Sequence, residues 1–502
     1  MTDTVAPDAV SLVDTGIAGL DDVLAGGLPA ERMYLLEGDP GSGKTTLALQ
    51  FLITGAQRGE RGLFVALSES AEELRATAKS HGWSLDNIDI FELIPSDQSL
   101  AADARYTMFH PSEVELGATI RTVQDVVERT GATRIVFDSL SELRLLAQDS
   151  LRYRRQVLAL KQYFARRHGT VLMVDDRTSA AGDMVLFSLA HGVISLERHT
   201  PEFGVLRRRV QIPKLRGRSF REGFHDFKIR RGGLEVFPRL VAAEHGRDFE
   251  TDAILSGIPR FDALLGGGLT RGTSTLILGP AGSGKSTLAT QFLIEAARCG
   301  DRSAAFMFDE SHYTFVMRSS GVGLDVASAI ASDMLELRQV DPAELSAGEF
   351  AGNVREAVEK RGVKLVVIDS LNGYLHAMPE QSLLLLHLHD LLTYLGQQGV
   401  TTIMVMAQHG LVGSQMGTPV DTTYLADTVL LTRFVEFGGE VRRAMSVIKK
   451  RTGDHERTIR ELCFTEKGLE LGEPLKQFYG ILGGTPHPSE DAEVHRPDRA
   501  HR

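Results

Sequence analysis

"GDPGSGKTT", residues 38–46, is a glycine-rich loop with a lysine and two threonines at its exit, and a near copy, "GPAGSGKST", occupies 279–287. Both fit the spacing G-x-x-x-x-G-K-[ST], which has a specific physical content. Gly38, Gly41 and Gly43, and likewise Gly279, Gly282 and Gly284, let the backbone turn so that successive N–H groups face one anion. A helix beginning at the lysine adds its positive end. Lys44 and Lys285 then reach the terminal phosphates of a nucleotide, and the hydroxyls of Thr45 and Ser286 are placed to ligate Mg2+. Ser42 with Thr46, and Ser283 with Thr287, complete the two candidate phosphate cradles. Each loop follows an apolar run ("MYLLE", "STLILG") and precedes an apolar-periodic segment, so both predict strand–loop–helix and ATP with Mg2+ as cofactor.

The likeness extends outward from the loops. "TGIAGLDDVLAGGLPAERMYLLEGDPGSGKTTLALQFL" (15–52) matches "SGIPRFDALLGGGLTRGTSTLILGPAGSGKSTLATQFL" (256–293) without a gap, at the 241-residue offset that separates Lys44 from Lys285. Further on, "RIVFDSLSEL" (134–143) matches "LVVIDSLNGY" (365–374) at an offset of 231, so the second copy is about ten residues shorter in between. A period this long means two whole domains rather than a solenoid. Within each copy, short β-branched runs alternate with longer amphipathic segments, which reads as α/β: two tandem P-loop domains, each a mainly parallel sheet flanked by helices. The expected division is an extension at 1–10, domains at 11–245 and 246–485, and a disordered, Pro- and charge-rich tail at 486–502.

Chemistry beyond binding needs carboxylates. Asp138 and Asp369 each end an apolar run and are candidates for the Mg2+ shell. Hydrolysis also needs a group that orients or deprotonates water. "LSES" offers Glu69, and "FDES" offers Asp309 and Glu310; Glu310 is also a candidate for the metal shell. Each follows a run expected to form a strand next to the phosphate-loop strand. The copies differ here: Ser68 stands where the second copy has Asp309, so one site has a single acid and the other a pair.

Composition sets outer limits. The 502 residues exceed one ordinary domain; 42% hydrophobic and 24% charged residues describe a soluble globular chain. The formal charge of −11 argues against a broad nucleic-acid surface. Cys299 and Cys463 form no metal pattern and fit a reducing cytoplasm. "MTDTVAPDAV" lacks the basic and apolar regions of a signal peptide, and "SLLLLHLHDLL" (382–392) is too short and too polar to span a bilayer. A cytoplasmic location and no membrane contact are therefore expected.

With these residues assembled, the chain resembles the KaiC family, two-domain ATPases and autokinases of bacterial clock systems within the RecA/DnaB-like branch of P-loop folds. The resemblance covers roughly residues 11–485 and rests on the tandem loops, the "SGIPRFDALLGGGL" lead-in, the strand-end acids and the late "KLRG" and "VIKKR" stretches. It implies a homohexamer with nucleotide held between subunits, and a KaiB-like protein partner. It also implies a Lys-x-Arg pair reaching the neighbour's phosphates, at Lys214 and Arg216 in the first copy and Lys449 and Arg451 in the second. The first domain would be a slow ATPase. The second would also phosphorylate itself, with Glu310 and Asp309 as the base. With the register set by Asp427 and Thr428, the acceptor positions fall on Thr423 and Tyr424, where the family has Ser then Thr; Thr422 is a neighbouring candidate. That departure puts ordered double phosphorylation in doubt.

Three readings stay open on the sequence. The first is a KaiC-like ATPase with autokinase activity serving timing or environmental signalling. The second is a nucleotide-gated scaffold with little chemistry. The third, a DNA-dependent motor, is opposed by the net charge and by the lack of a basic–aromatic loop. The best such stretch, "LRYRRQVLALKQYFARR" (151–167), has the apolar period of a sheet-packing helix.

Overall fold

The strand–loop–helix order expected around each glycine loop is present twice. The computed structural model describes residues 11–93, 111–147, 149–177, 184–200, 204–241, 246, 248–376, 381–408, 422–437, 439–465, 468–476, 478–481 and 487–488. The chain divides into two compact units, residues 1–239 and 240–502. Each unit is built on one nine-stranded sheet of the same order.

In the first unit the order is Gly233–Phe237, Phe224–Arg230, Arg207–Leu215, Gly192–His199, Met33–Gly38, Thr170–Asp176, Arg134–Asp138, Gly62–Ala66 and Ile88–Glu92. The last six strands run parallel and the first three form an antiparallel meander at one edge. The second unit repeats this from Gly468–Pro474 through the loop strand Ser274–Gly279 to Leu335–Gln339. Tyr34 and Leu36 of the loop strand pack into one buried cluster, Met33 and Leu35 into another on the opposite face. A strand covered on both faces explains the unbroken apolar run "MYLL".

The strand order corrects one expectation. The strands ahead of Glu69 and Asp309, Gly62–Ala66 and Ser303–Met307, do not adjoin the loop strand; two strands stand between in each unit. The helix leaving each loop carries the chain over those positions, which later strands fill. Because all these strands are parallel, their carboxyl ends still meet at one edge. The tail also differs at its start, since His487–Pro488 pairs with Phe478–Tyr479. The expected extension at 1–10 and residues 489–502 lie outside the described residues.

One buried charge supports the first loop from below. Arg134, 1% exposed, donates to Glu60, to Asp14 and to the Phe51 carbonyl at 2.7–3.0 Å. Its stem passes Gly55, where a Cβ would lie 2.4 Å from Arg134 Cδ. The second unit has Leu365 and Ala296 at the matching positions, an apolar solution to the same gap. Arg134→Met keeps the volume but leaves Glu60 without its partner and Asp14 with Arg58 alone. Glu60 and Asp14 retain some water, so we expect a loss of about 3 kcal/mol, the low end for a broken buried pair. Urea unfolding followed at Trp83, which lies in the first unit, measures it.

Candidate nucleotide sites

Both loop helices, Lys44–Gln57 and Lys285–Arg298, begin at the lysine, as expected. The residues before them, Gly43 and Gly284, have φ of 108° and 96°, a region that only glycine enters freely. Space is closed there too: a Cβ on Gly284 would lie 2.1 Å from the Phe464 ring and one on Gly43 2.6 Å from Ile229. No side chain caps either helix. Their first N–H groups are therefore free for an anion.

The lysines are held inward. Lys44 Nζ donates to the carbonyls of Gly38 and Asp39 at 2.9 and 3.0 Å and pairs with Asp176 at 2.8 Å. Lys285 Nζ, 7% exposed, donates to the Pro280 carbonyl at 2.7 Å. Burial lowers its ammonium to about 8, against the opposing pull of Asp369. Only the charged lysine pairs with phosphate, so affinity for ATP at the second site should fall as pH rises through that value. Nucleotide titration of a Lys44→Ala chain should show a loss of about fivefold between about pH 8 and pH 9; a flat profile would contradict the assignment.

Thr45 Oγ1 donates to Asp138 Oδ2 at 2.9 Å, and Ser286 hydrogen-bonds Asp369. Both aspartates are buried, and burial raises both carboxyls despite those hydroxyls. Both precede a cis peptide, Asp138–Ser139 and Asp369–Ser370. Among the described residues no cluster of three or more His, Cys, Asp or Glu is placed to hold a metal. One hydroxyl and one carboxylate beside a phosphate loop is instead the donor set Mg2+ accepts when phosphates and water complete its shell. Uncapped helix ends, inward lysines and hydroxyl–carboxylate pairs therefore fit Mg-ATP at both loops.

The acids behave differently in the two units. Glu69 makes no hydrogen bond or ion pair among the described residues. Burial, with Asp138 and Glu73 adding, raises its carboxyl above the usual range. Glu310 is instead gripped by Arg318, whose Nε lies 3.0 and 3.3 Å from the two carboxylate oxygens and whose second prong lies 3.0 Å from Oε2. Asp309 accepts from Ser370 Oγ. Lys285, Ser286, Asp309, Glu310, Arg318 and Asp369 line one open cavity of about 670 Å³.

The Lys-x-Arg pairs lie far from their own loops. Lys214 is level with Val193, and Val193 with Leu35, near the start of the loop strand, whereas Gly38 ends it. In the second unit Lys449 is level with Val429, and Val429 with Leu276. At that end each pair caps main-chain carbonyls. Lys214 and Arg216 take those of Phe187 and Ser188. Lys449 takes Thr423 at 3.0 Å and Ala426 at 2.7 Å, and Arg451 takes Tyr424 at 3.0 Å. Residues 423–425 form a turn rather than a strand edge. Thr422 is 1% exposed with its hydroxyl on Met406 Sδ, and this burial removes it from the candidate acceptors. Thr423 is half-buried and Tyr424 exposed. The matching grip in the first unit falls on Phe187 and on Ser188, the latter held by Arg216 as Tyr424 is by Arg451.

Two site residues escaped the sequence reading. Asp176 carries a signal, an acid ending the run "TVLMVDD" beside the loop strand. Arg318 carries none, being one arginine on the helix His312–Ser320. The basic–aromatic stretch forms the helix Ser150–Arg166, which buries Tyr153, Val157, Leu160 and Phe164, as the apolar period implies. Among the described residues no helix is long and apolar enough to cross a membrane.

Comparison with known proteins agrees with this geometry. A family model described as "ATPase: KaiC" matches residues 13–241 and again 254–476. The chain is 27% identical over 501 residues to a circadian clock protein KaiC3 of Synechocystis sp., covering 97% of each chain. It is 28% identical over 482 residues to a circadian clock oscillator protein KaiC of Thermostichus vulcanus, covering 95% of this chain and 92% of that one. A KaiC of Synechococcus elongatus is 26% identical, with 95% and 92% covered.

Proposed function

The chain belongs to the KaiC family of ATPases, and from that premise we propose that its two sites divide the work of a ring of six copies. The first binds Mg-ATP and hydrolyses it slowly, with Glu69 as the base for water. The second transfers the γ-phosphoryl group to Thr423 of a neighbouring copy, with Glu310 and Asp309 as the acidic pair and Tyr424 as the secondary acceptor. Thr45 with Asp138, and Ser286 with Asp369, hold Mg2+. When bound, that ion supplies charge neutralisation at the phosphates. Lys214, Arg216, Lys449 and Arg451 reach the neighbour's nucleotide. The output is timing or environmental signalling in the cytoplasm, read by a KaiB-like partner.

One observation carries this reading. Lys449 and Arg451 hold the carbonyls of the turn that bears Thr423, at the opposite end of the sheet from their own phosphate loop. Whatever brings those cations to another copy's phosphates brings the Thr423 hydroxyl with them. The first unit makes the same grip on a segment with Phe187 in that place.

A mixing experiment tests it. Lys285→Ala chains lack the donor site but keep the acceptors; Thr423→Ala/Tyr424→Phe chains are the reverse. Neither should gain phosphate alone, and together they should label the Lys285→Ala chain. Labelling of Thr423 that never crosses between chains would overturn the proposal.

A further inference from the structure

The two candidate bases differ in one contact that the division of labour does not explain. Glu310 and Glu69 occupy matching positions, 241 residues apart, and so do Arg318 and Thr77. The second unit therefore has a guanidinium where the first has a short hydroxyl. Arg318 is 26% and Glu310 18% exposed, so the pair is half-buried rather than solvated. Three of its contacts run from Nε and one terminal nitrogen to both carboxylate oxygens. The fork thus engages both oxygens of the carboxylate and holds it by two charge-assisted donors. The other terminal nitrogen lies 3.4 Å from the hydroxyl of Thr287, in the first turn of the phosphate-loop helix. The Phe315 ring supports the guanidinium from below at 5.2 Å. The other charged groups on the cavity wall are Lys285, Asp309, Asp369 and Arg443.

We propose that Arg318 is a latch on the second site: paired with Glu310 while ATP occupies the loop, it withholds the base from water. The proposal rests on Glu310 being the base. In the step it restrains, a Glu310 oxygen takes a proton from the attacking oxygen. That oxygen bonds to the γ-phosphorus, the bond to the bridging oxygen breaks and ADP leaves. Holding the base back lengthens the life of ATP at the site that must keep it for an acceptor. The first site, with Thr77, carries no such brake. Arg318 is a positioning residue on this account, since it acts through Glu310.

The test uses full-length chains in a Glu69→Gln background, where the remaining hydrolysis comes from the second site. Adding Arg318→Thr should raise kcat about tenfold, equivalent to ~1.4 kcal/mol at the barrier, with KM unchanged. Arg318→Lys keeps the charge without the fork and should fall between. Conversely, Thr77→Arg in the unmodified chain should slow first-site hydrolysis by a similar factor. Opposite signs at matching positions are not produced by a merely structural role. If Arg318→Thr misfolds, Arg318→Lys and Thr77→Arg still decide. A fall in kcat on Arg318→Thr would make the arginine a direct stabiliser of the phosphoryl group and overturn the latch. So would no change, provided Glu69→Gln/Glu310→Gln hydrolyses more slowly than Glu69→Gln alone. If that control shows no slowing, the base assignment fails instead, and the latch with it.

Discussion

With the second site silenced by Glu310→Gln, Arg216→Ala should lower ATP hydrolysis about 10³-fold at saturating nucleotide, the low end of what a guanidinium delivered from a neighbour contributes. The side chain is exposed and, among the described residues, donates to the Ser188 carbonyl at 2.9 Å. Such a surface bond contributes about 1 kcal/mol, less than a charge-assisted bond to phosphate, so the guanidinium can exchange one for the other. It cannot serve its own loop, because its strand ends at the opposite edge of the sheet. Nucleotide affinity of dilute, unassembled chains should therefore be unchanged while turnover of assembled chains collapses. Arg216→Lys should recover only part, since an ammonium lacks the planar fork. Steady-state phosphate release as a function of chain concentration separates these effects. Unchanged turnover in Arg216→Ala would remove the pair from catalysis.

Glu69→Gln should reduce first-site hydrolysis by 10²- to 10³-fold, within the range for loss of a positioned base. The amide keeps the size and the neighbours, so binding of Mg-ATP should persist. The pH profile adds a second readout. A base works only when ionised, and burial followed by the Asp138 and Glu73 charges raises the Glu69 carboxyl. Hydrolysis should therefore fail on the acid side at a higher pH than an ordinary carboxylate would give. In Glu69→Gln that acid limb should vanish along with the rate.

How much of this was legible follows the range of each interaction. The loops, the lysine-started helices and the strand-end aspartates are local: glycine spacing, an apolar run and an acid at its end lie within a few residues. The first wall of each site was readable for that reason. Strand order was not, because nothing in the run "GLFVAL" records that its helix has passed over two strand positions. Thr422 and Thr423 look alike in sequence, yet one faces Met406 inside the core and the other sits on a turn clasped by Lys449. The Arg318–Glu310 pair depends on an eight-residue separation across a turn and a helix start, a spacing with no periodic signature.

Transfer of phosphate to Thr423 is the claim on which the division of labour turns. Incubating the unmodified chain with Mg-ATP, weighing it intact and mapping the peptide that spans 422–433 tests it most directly. The account predicts a mass gain of one phosphoryl group located on Thr423. A chain that turns over ATP yet never gains phosphate, or gains it only outside this turn, would contradict it.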